Sequence, residues 1–304
     1  MRSTALSTVA SIISTNEKAV FIGSDLGSGT LEDLRRSRPN QFFMEGISEQ
    51  YVVGLAAGLA REGFIPYVNT IANFFTRRAL EQIIVDVGFH SFPIRFLANG
   101  GGMVYAVLGA THTAVDDFAL LSSTQRLRIL APSDANEMKN LLEKTIDYPG
   151  PMYFRIAKGG EELVTGSYDD KPWAPKLWAS SNDDVLVITT GIVLQEALAC
   201  KRILKEKGIY CSILHFSDLS EIGGYSFSRF ANYRVWVVAE EHQEFGGLLS
   251  RVLHSIRPYF HPNIKHLHLD SSSLHHFGNQ IDHLCKANLD RQGIQSKIVE
   301  WYEK

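Results

Sequence analysis

The chain has 304 residues, 45% of them hydrophobic, enough apolar material for one large domain or two ordinary ones, which excludes global disorder. Its 30 basic and 33 acidic residues leave a formal charge of -3 with no run of five like charges, which excludes a general nucleic-acid binder. No stretch approaches the roughly 18 apolar residues of a membrane span, and Cys200, Cys211 and Cys285 form neither a disulfide framework nor a metal-ligand spacing. A cytoplasmic protein is expected.

The opening MRSTALSTVASIIS reads as an amphipathic helix instead of a signal peptide. Short apolar runs then alternate with segments of helical period, the pattern of an α/β protein with mostly parallel sheets. Strands are expected at 19–22, 41–43, 65–68, 94–98, 128–131, 152–156, 185–189, 211–215, 235–239 and 266–269. Helices are expected at 49–61, 74–87, 135–146, 194–207, 248–256 and 279–287, the third capped by Ser133 and Asp134 after Pro132. Between Gly159 and Asp184 the periodicity fails in a Gly, Pro, Asp and Ser-rich stretch. The division is therefore 1–160, a linker at 161–183 packed onto the surface, and a second domain at 184–304.

The stretch FMEGISEQYVVGLAAGLAREG, residues 43–63, runs from a strand through a glycine turn into an apolar helix opened by Glu49. Taken alone, a first-turn acid is explained by the helix dipole, worth about 0.3–1 kcal/mol. Gly-Ile-Ser-Glu-Gln before a glycine-notched helix, however, resembles the pyrimidine-binding domain of thiamine-diphosphate enzymes. That group includes transketolases, deoxyxylulose-phosphate synthases and the beta subunits of 2-oxo-acid dehydrogenases. In that family the matching glutamate, here Glu49, bonds the aminopyrimidine N1′ and promotes the tautomer that activates the thiazolium carbon. Sharing a proton with a ring nitrogen calls for a desolvated site. Glu45, four residues earlier, is expected as a solvated acid at the strand end.

The next segment, YVNTIANFFTRRALEQI, resembles the family's aromatic run followed by Thr-x-Arg-Ala-x-Glu-Gln. The resemblance places Phe74 against the aminopyrimidine. Ile71 falls where transketolases carry a second aromatic and Arg77 where they often carry Tyr, and both are expected beside the cofactor. In FLANGGGMVYAVLGATHTAVDDFALL, residues 96–121, three glycines follow a strand without the spacing of a dinucleotide or P-loop motif. Gly-Ala-Thr-His, residues 109–112, resembles the family's G-x-T-H stretch, which implies that His112 faces the thiazolium and moves protons on the substrate.

Three departures bear on substrate choice. Leu108 stands where typical transketolases have an Asp for an aldose hydroxyl, Gly100 near a substrate His, and Thr113 in place of Gln or His. Lost polar partners change which hydroxyls a site can satisfy, so a less hydroxylated or otherwise specialised sugar is expected. The strand PMYFRIAKGG ends the first domain as in the family, and the resemblance gives Arg155 the acceptor phosphate, with Lys158 a weaker companion. The segments at 184–209 and 235–253 resemble the transketolase C-terminal domain. Glu240, Glu241 and His242 are consecutive and do not share one face, so no metal site is expected. His275 and His276 are expected in a loop before a helix.

Family members hold the cofactor diphosphate and Mg²⁺ through Gly-Asp-Gly followed by a distant Asn, and these 304 residues contain no Gly-Asp-Gly. The nearest mimic, GSDLGSG at 23–29, is expected as a loop. The resemblance thus implies the C-terminal subunit of a split transketolase that binds thiamine diphosphate with a partner carrying the Mg²⁺ ligands, in an α2β2 assembly acting on small sugars. The alternatives are a 2-oxo-acid dehydrogenase beta subunit, a deoxyxylulose-phosphate-synthase-like acyloin synthase, and a non-catalytic scaffold.

Overall fold

The computed structural model describes residues 1–24, 29–182, 184–256 and 261–303. Most of the GSDLGSG loop, residues 25–28, lies outside the described residues. The first unit runs α1 (Arg2–Thr15), β1 (Ala19–Gly23), α2 (Glu32–Ser37), β2 (Phe42–Met44), α3 (Glu49–Arg61), β3 (Ile65–Ile71), α4 (Ala72–Arg78), α5 (the single turn Leu80–Gln82), β4 (Arg95–Asn99), α6 (Asp117–Leu121), β5 (Arg128–Leu130), α7 (Ala135–Lys144) and β6 (Met152–Ile156). Its six strands lie in the order β2-β1-β3-β4-β6-β5, all parallel.

Strands β1, β4 and β6 are buried at every position, because helices cover both faces of the sheet. Leu6, Val9 and Ile13 of α1 share one core with Met138, Leu141 and Leu142 of α7. On the other face Val52, Val53 and Ala56 of α3 pack with Phe75 of α4 and Phe96 of β4. Helix α3 ends where Gly63 takes φ +91°, a conformation that side chains disfavour. Helix α7 is capped as expected, Asp134 accepting from the Glu137 amide at 2.9 Å.

The second unit runs β7 (Lys176–Trp178), β8 (Val185–Thr189), α8 (Val193–Glu206), β9 (Cys211–His215), β10 (Val235–Gln243), α9 (Leu248–Ile256), β11 (Ile264–Leu269), α10 (Gln280–Lys286) and α11 (Arg291–Glu303). The sheet order is β11-β10-β8-β9-β7, with β7 alone antiparallel. Strand β7 falls inside the segment expected as a linker, and α11 was not among the expected helices. One further expectation is corrected: the single helix over 74–87 breaks after Arg78. There Ala79 leaves the helical region (φ -123°, ψ 17°), and the chain resumes through α5 into a π-helical turn at Ile83–Gly88. No helix among the described residues is long and apolar enough to cross a membrane.

The two units share one apolar core, in which Phe96, Phe118 and Ile129 of the first meet Leu214, Phe216 and Trp236 of the second. A buried polar cluster closes the same junction. Glu137 of α7 meets His215 Nε2 of β9 at 3.3 Å and Lys176 Nζ of β7 at 2.6 Å, and accepts from the Ser133 amide at 2.8 Å. Burial alone would raise the Glu137 carboxyl, but the imidazole and the ammonium outweigh it and hold the group far below the ordinary carboxylate value. A depressed acid contributes stability that is complete above the ordinary value of 4.5 and is lost as pH falls below it. Glu137→Gln is therefore expected to cost about 3–5 kcal/mol at neutral pH. In urea titrations the gap between variant and parent should narrow steadily toward pH 3; a constant gap would show that the charge contributes nothing.

Candidate active site

Helix α3 presents its first residue at the edge of the sheet, where β3 turns into α4. Glu49 is 3% exposed there. Its Oε2 accepts from Arg78 Nη1 at 3.1 Å, while Oε1 is buried without a partner among the described residues. The guanidinium of Arg78 lies 3.7 Å from the centroid of the Phe74 ring, four residues back on the same helix face. The half-buried His112 ring meets Phe74 edge-on at 5.2 Å and 65°. Its Nδ1 pairs with the Thr111 hydroxyl at 2.8 Å. Asn73 donates to the Thr111 carbonyl at 2.7 Å and so ties the His112 loop to the helix that carries Phe74.

Glu49, Phe74 and His112, separated in sequence, thus converge with Arg78. Arg77, one residue away, points instead to Asp116 (2.5 Å) and is partly exposed. Ile71 is buried at the end of β3, where α4 begins. Leu108 is 55% exposed on the His112 loop. Gly100 adopts φ +76° with Tyr105 packed so close that a Cβ would sit 2.2 Å from its ring.

Arg155 lies away from this cluster, with partners inside the chain. It is 6% exposed, ion-paired to Asp117 at 3.0 Å and bonded to the carbonyls of Ala114 (2.8 Å) and Glu241 (2.9 Å). All three partners belong to this chain, so the guanidinium as it stands ties the two units together at their junction. Burial and the adjacent Asp117 push the Tyr153 hydroxyl well above its ordinary range, so it stays a neutral donor to that carboxylate at 2.9 Å. Two residues of this region escaped sequence reasoning. Arg78 had a signal, its i,i+4 spacing from Phe74; Asn73 had none, because its partner is a backbone carbonyl of a distant loop.

The family model for the transketolase pyrimidine-binding domain matches residues 1–160, more than half of the chain, and that for the transketolase C-terminal domain matches residues 177–277. The chain belongs to the transketolase family. Among curated transketolase relatives, it is 30% identical to one subunit of the apulose-4-phosphate transketolase of Phocaeicola vulgatus, over 91% of this chain and 89% of that protein. It is 31% identical to the 1-deoxy-D-xylulose-5-phosphate synthase of Clostridium acetobutylicum over 94% of this chain but only 46% of the synthase, and so spans less than half of that relative. A solved split-gene transketolase, described as an inactive beta4 tetramer, superposes with a TM-score of 0.84 at 23% identity, over 99% of this chain and 97% of that one.

Transketolase-family members use thiamine diphosphate, and the residues present fit its aminopyrimidine end. A buried carboxylate oxygen without a donor and a ring face stand together, and the flat Arg78 group already makes the two contacts an aminopyrimidine would make, an N–H bond to Glu49 and a stack on Phe74. Arg78 is half exposed, its guanidinium lying at the surface of the cluster. Among the described residues no group of three His, Cys, Asp or Glu side chains is placed to hold a metal ion.

Proposed function

We propose that this chain is the C-terminal subunit of a thiamine-diphosphate-dependent ketol transferase, moving a two-carbon unit from a ketose to an aldehyde or aldose, with a specialised sugar as substrate. The observation that carries the reading is the buried, unpartnered Oε1 of Glu49 beside the Phe74 face and the His112 edge. When bound, the cofactor supplies the carbon nucleophile and the electron sink for the transferred fragment. Glu49 would hold a proton shared with the aminopyrimidine ring, and Phe74 would fix that ring's plane. His112, at the cluster's mouth, would exchange protons with substrate oxygens.

The diphosphate and Mg²⁺ would be held by a partner chain, in an assembly of two copies of each. The full activity of the synthase relative is a second reading, favoured by the 31% match. Deoxyxylulose-type product in place of transferred ketol would decide for it. The free thiols Cys200, Cys211 and Cys285 suit a reducing, cytoplasmic setting.

The experiment is calorimetric titration of thiamine diphosphate with Mg²⁺ into this chain alone and into its assembly with a chain bearing the Gly-Asp-Gly element. Binding heat is expected only from the assembly. Tight binding by the isolated chain would overturn the partner requirement, and silence in both samples would overturn the cofactor reading.

A further inference from the structure

We infer that Glu241, near the end of strand β10 in the second unit, is a positioning residue for His112, reaching across the junction to pin the neck of the loop that carries it. The loop leaves β4 and returns to α6, and its two arms meet where the Gly102 and Ala114 backbones exchange hydrogen bonds at 2.9 and 3.0 Å. At that neck the Met103 amide donates to Glu241 Oε1 at 3.0 Å. Gly102 takes φ +65° with its Cα pressed against the same carboxylate, so close that a Cβ would fall 2.3 Å from the carboxyl carbon. The returning arm is held by the same strand: the Gln243 amide donates to the Val115 carbonyl at 2.8 Å, and Arg155 joins the Ala114 carbonyl to that of Glu241.

Apolar contacts agree with the polar ones. Met103, Ala106 and Val115, the feet of the loop, are buried in the core of the second unit with Val187, Val237 and Ala239, not in the core of the first. The Glu241 carboxylate is aimed by Gln280, whose amide donates to the same oxygen at 2.7 Å. Both donors address one acceptor oxygen in a buried site, where an amide left without its acceptor costs far more than an exposed one. Beyond the neck, Val107, Leu108 and Gly109 are exposed. From outside the loop, Asn73 reaches its backbone at residues 110 and 111. The placement of His112 therefore depends on a side chain from the second unit as well as on one from α4.

The inference rests on the reading of His112 as a proton-moving residue, and the test separates the two. Hydrogen exchange is measured on the full-length chain and its Glu241→Ala, Glu241→Gln and Gln280→Ala forms, without cofactor or partner. In Glu241→Ala the amides of 103–112 are expected to exchange about tenfold faster, the scale of one lost buried hydrogen bond, with those of 52–60 unchanged. Glu241→Gln, which keeps the acceptor oxygen, should restore most of the protection, and Gln280→Ala, the milder change should Glu241→Ala fail to fold, should give an intermediate loss. In the assembled enzyme kcat should fall in the same order while cofactor affinity, read by calorimetry, stays constant. Unchanged exchange at 103–112, or a rise spread equally over 52–60, would overturn the clamp. Loosening of the loop with no change in kcat would overturn its bearing on His112. Absence of turnover in the unsubstituted assembly would instead overturn the proposed function and leave the exchange result standing.

Discussion

Replacing Glu49 by glutamine is expected to lower turnover of the assembled enzyme by about 10²–10⁴-fold, the range of a positioned proton-transfer group, while the chain still folds and joins its partner. Glutamine fills the same volume at the start of α3 and can still accept from Arg78 through its amide oxygen. What it cannot do is take up or release a proton at the position where Oε1 now stands without a donor. A loss in kcat at unchanged melting temperature and unchanged assembly size isolates that function. Glu49→Ala should lose turnover as well, and it would also leave a small void beside Val52 and Val53. If Glu49→Gln retained turnover within tenfold of the parent, another group would have to hold the ring proton and the catalytic assignment would fall.

An effect on stability as large as that of Glu137 is expected at Arg95. Arg95, 1% exposed on β4, gives Nη1 to the Gly150 carbonyl (3.0 Å) and Nη2 to those of Thr145 (2.9 Å), Ile146 (3.1 Å) and Tyr148 (2.7 Å). These carbonyls run from the C-cap of α7, Thr145, through the connection into β6, so one guanidinium gathers the acceptors of that connection in a buried site. Burial lowers its pKa to about 10, still well above neutrality, so the group stays charged. Arg95→Met should cost about 3–5 kcal/mol, as when a buried charge-assisted set loses its donor, and lower the melting temperature by roughly 10 °C. Arg95→Lys should recover only part of this, because an ammonium cannot present the fork that spans these carbonyls. A melting point unchanged in Arg95→Met would mean that water replaces the guanidinium at no cost.

How far the sequence was legible depends on how local each signal was. Helices 49–61 and 248–256 match to the residue because each carries an unbroken apolar period, Val52, Val53, Ala56, Ala57 and Ala60 in one and Leu248, Leu249, Val252, Leu253 and Ile256 in the other. The break after Arg78 was invisible, since Leu80, Ile83, Ile84 and Val87 continue a plausible apolar pattern through a turn wound with a different period. Helix α11 was missed because only Gly293, Ile294 and Ile298 are fully buried, while Val299, Trp301 and Tyr302 pack against the core only in part, leaving a stripe too irregular to stand out. The grouping of Glu49, Phe74 and His112 was readable because each sits in a short motif, and the motifs follow one another in order. The contacts of Arg155 were not, because its partners, Asp117 and the Ala114 and Glu241 carbonyls, come from two other segments and two units.

The paired Gly102 and Ala114 backbones make the intervening residues a cassette. Both ends enter and leave at one point, so the exposed residues 107–109 can be exchanged or lengthened without shifting a strand register. The entropic cost of a longer loop also rises only slowly with its length. Leu108, at the exposed tip, and Thr113, just inside the neck, both lie within this unit. Sequence change can therefore gather in one contiguous stretch while the sheet and the Glu49–Phe74 pair stay as they are.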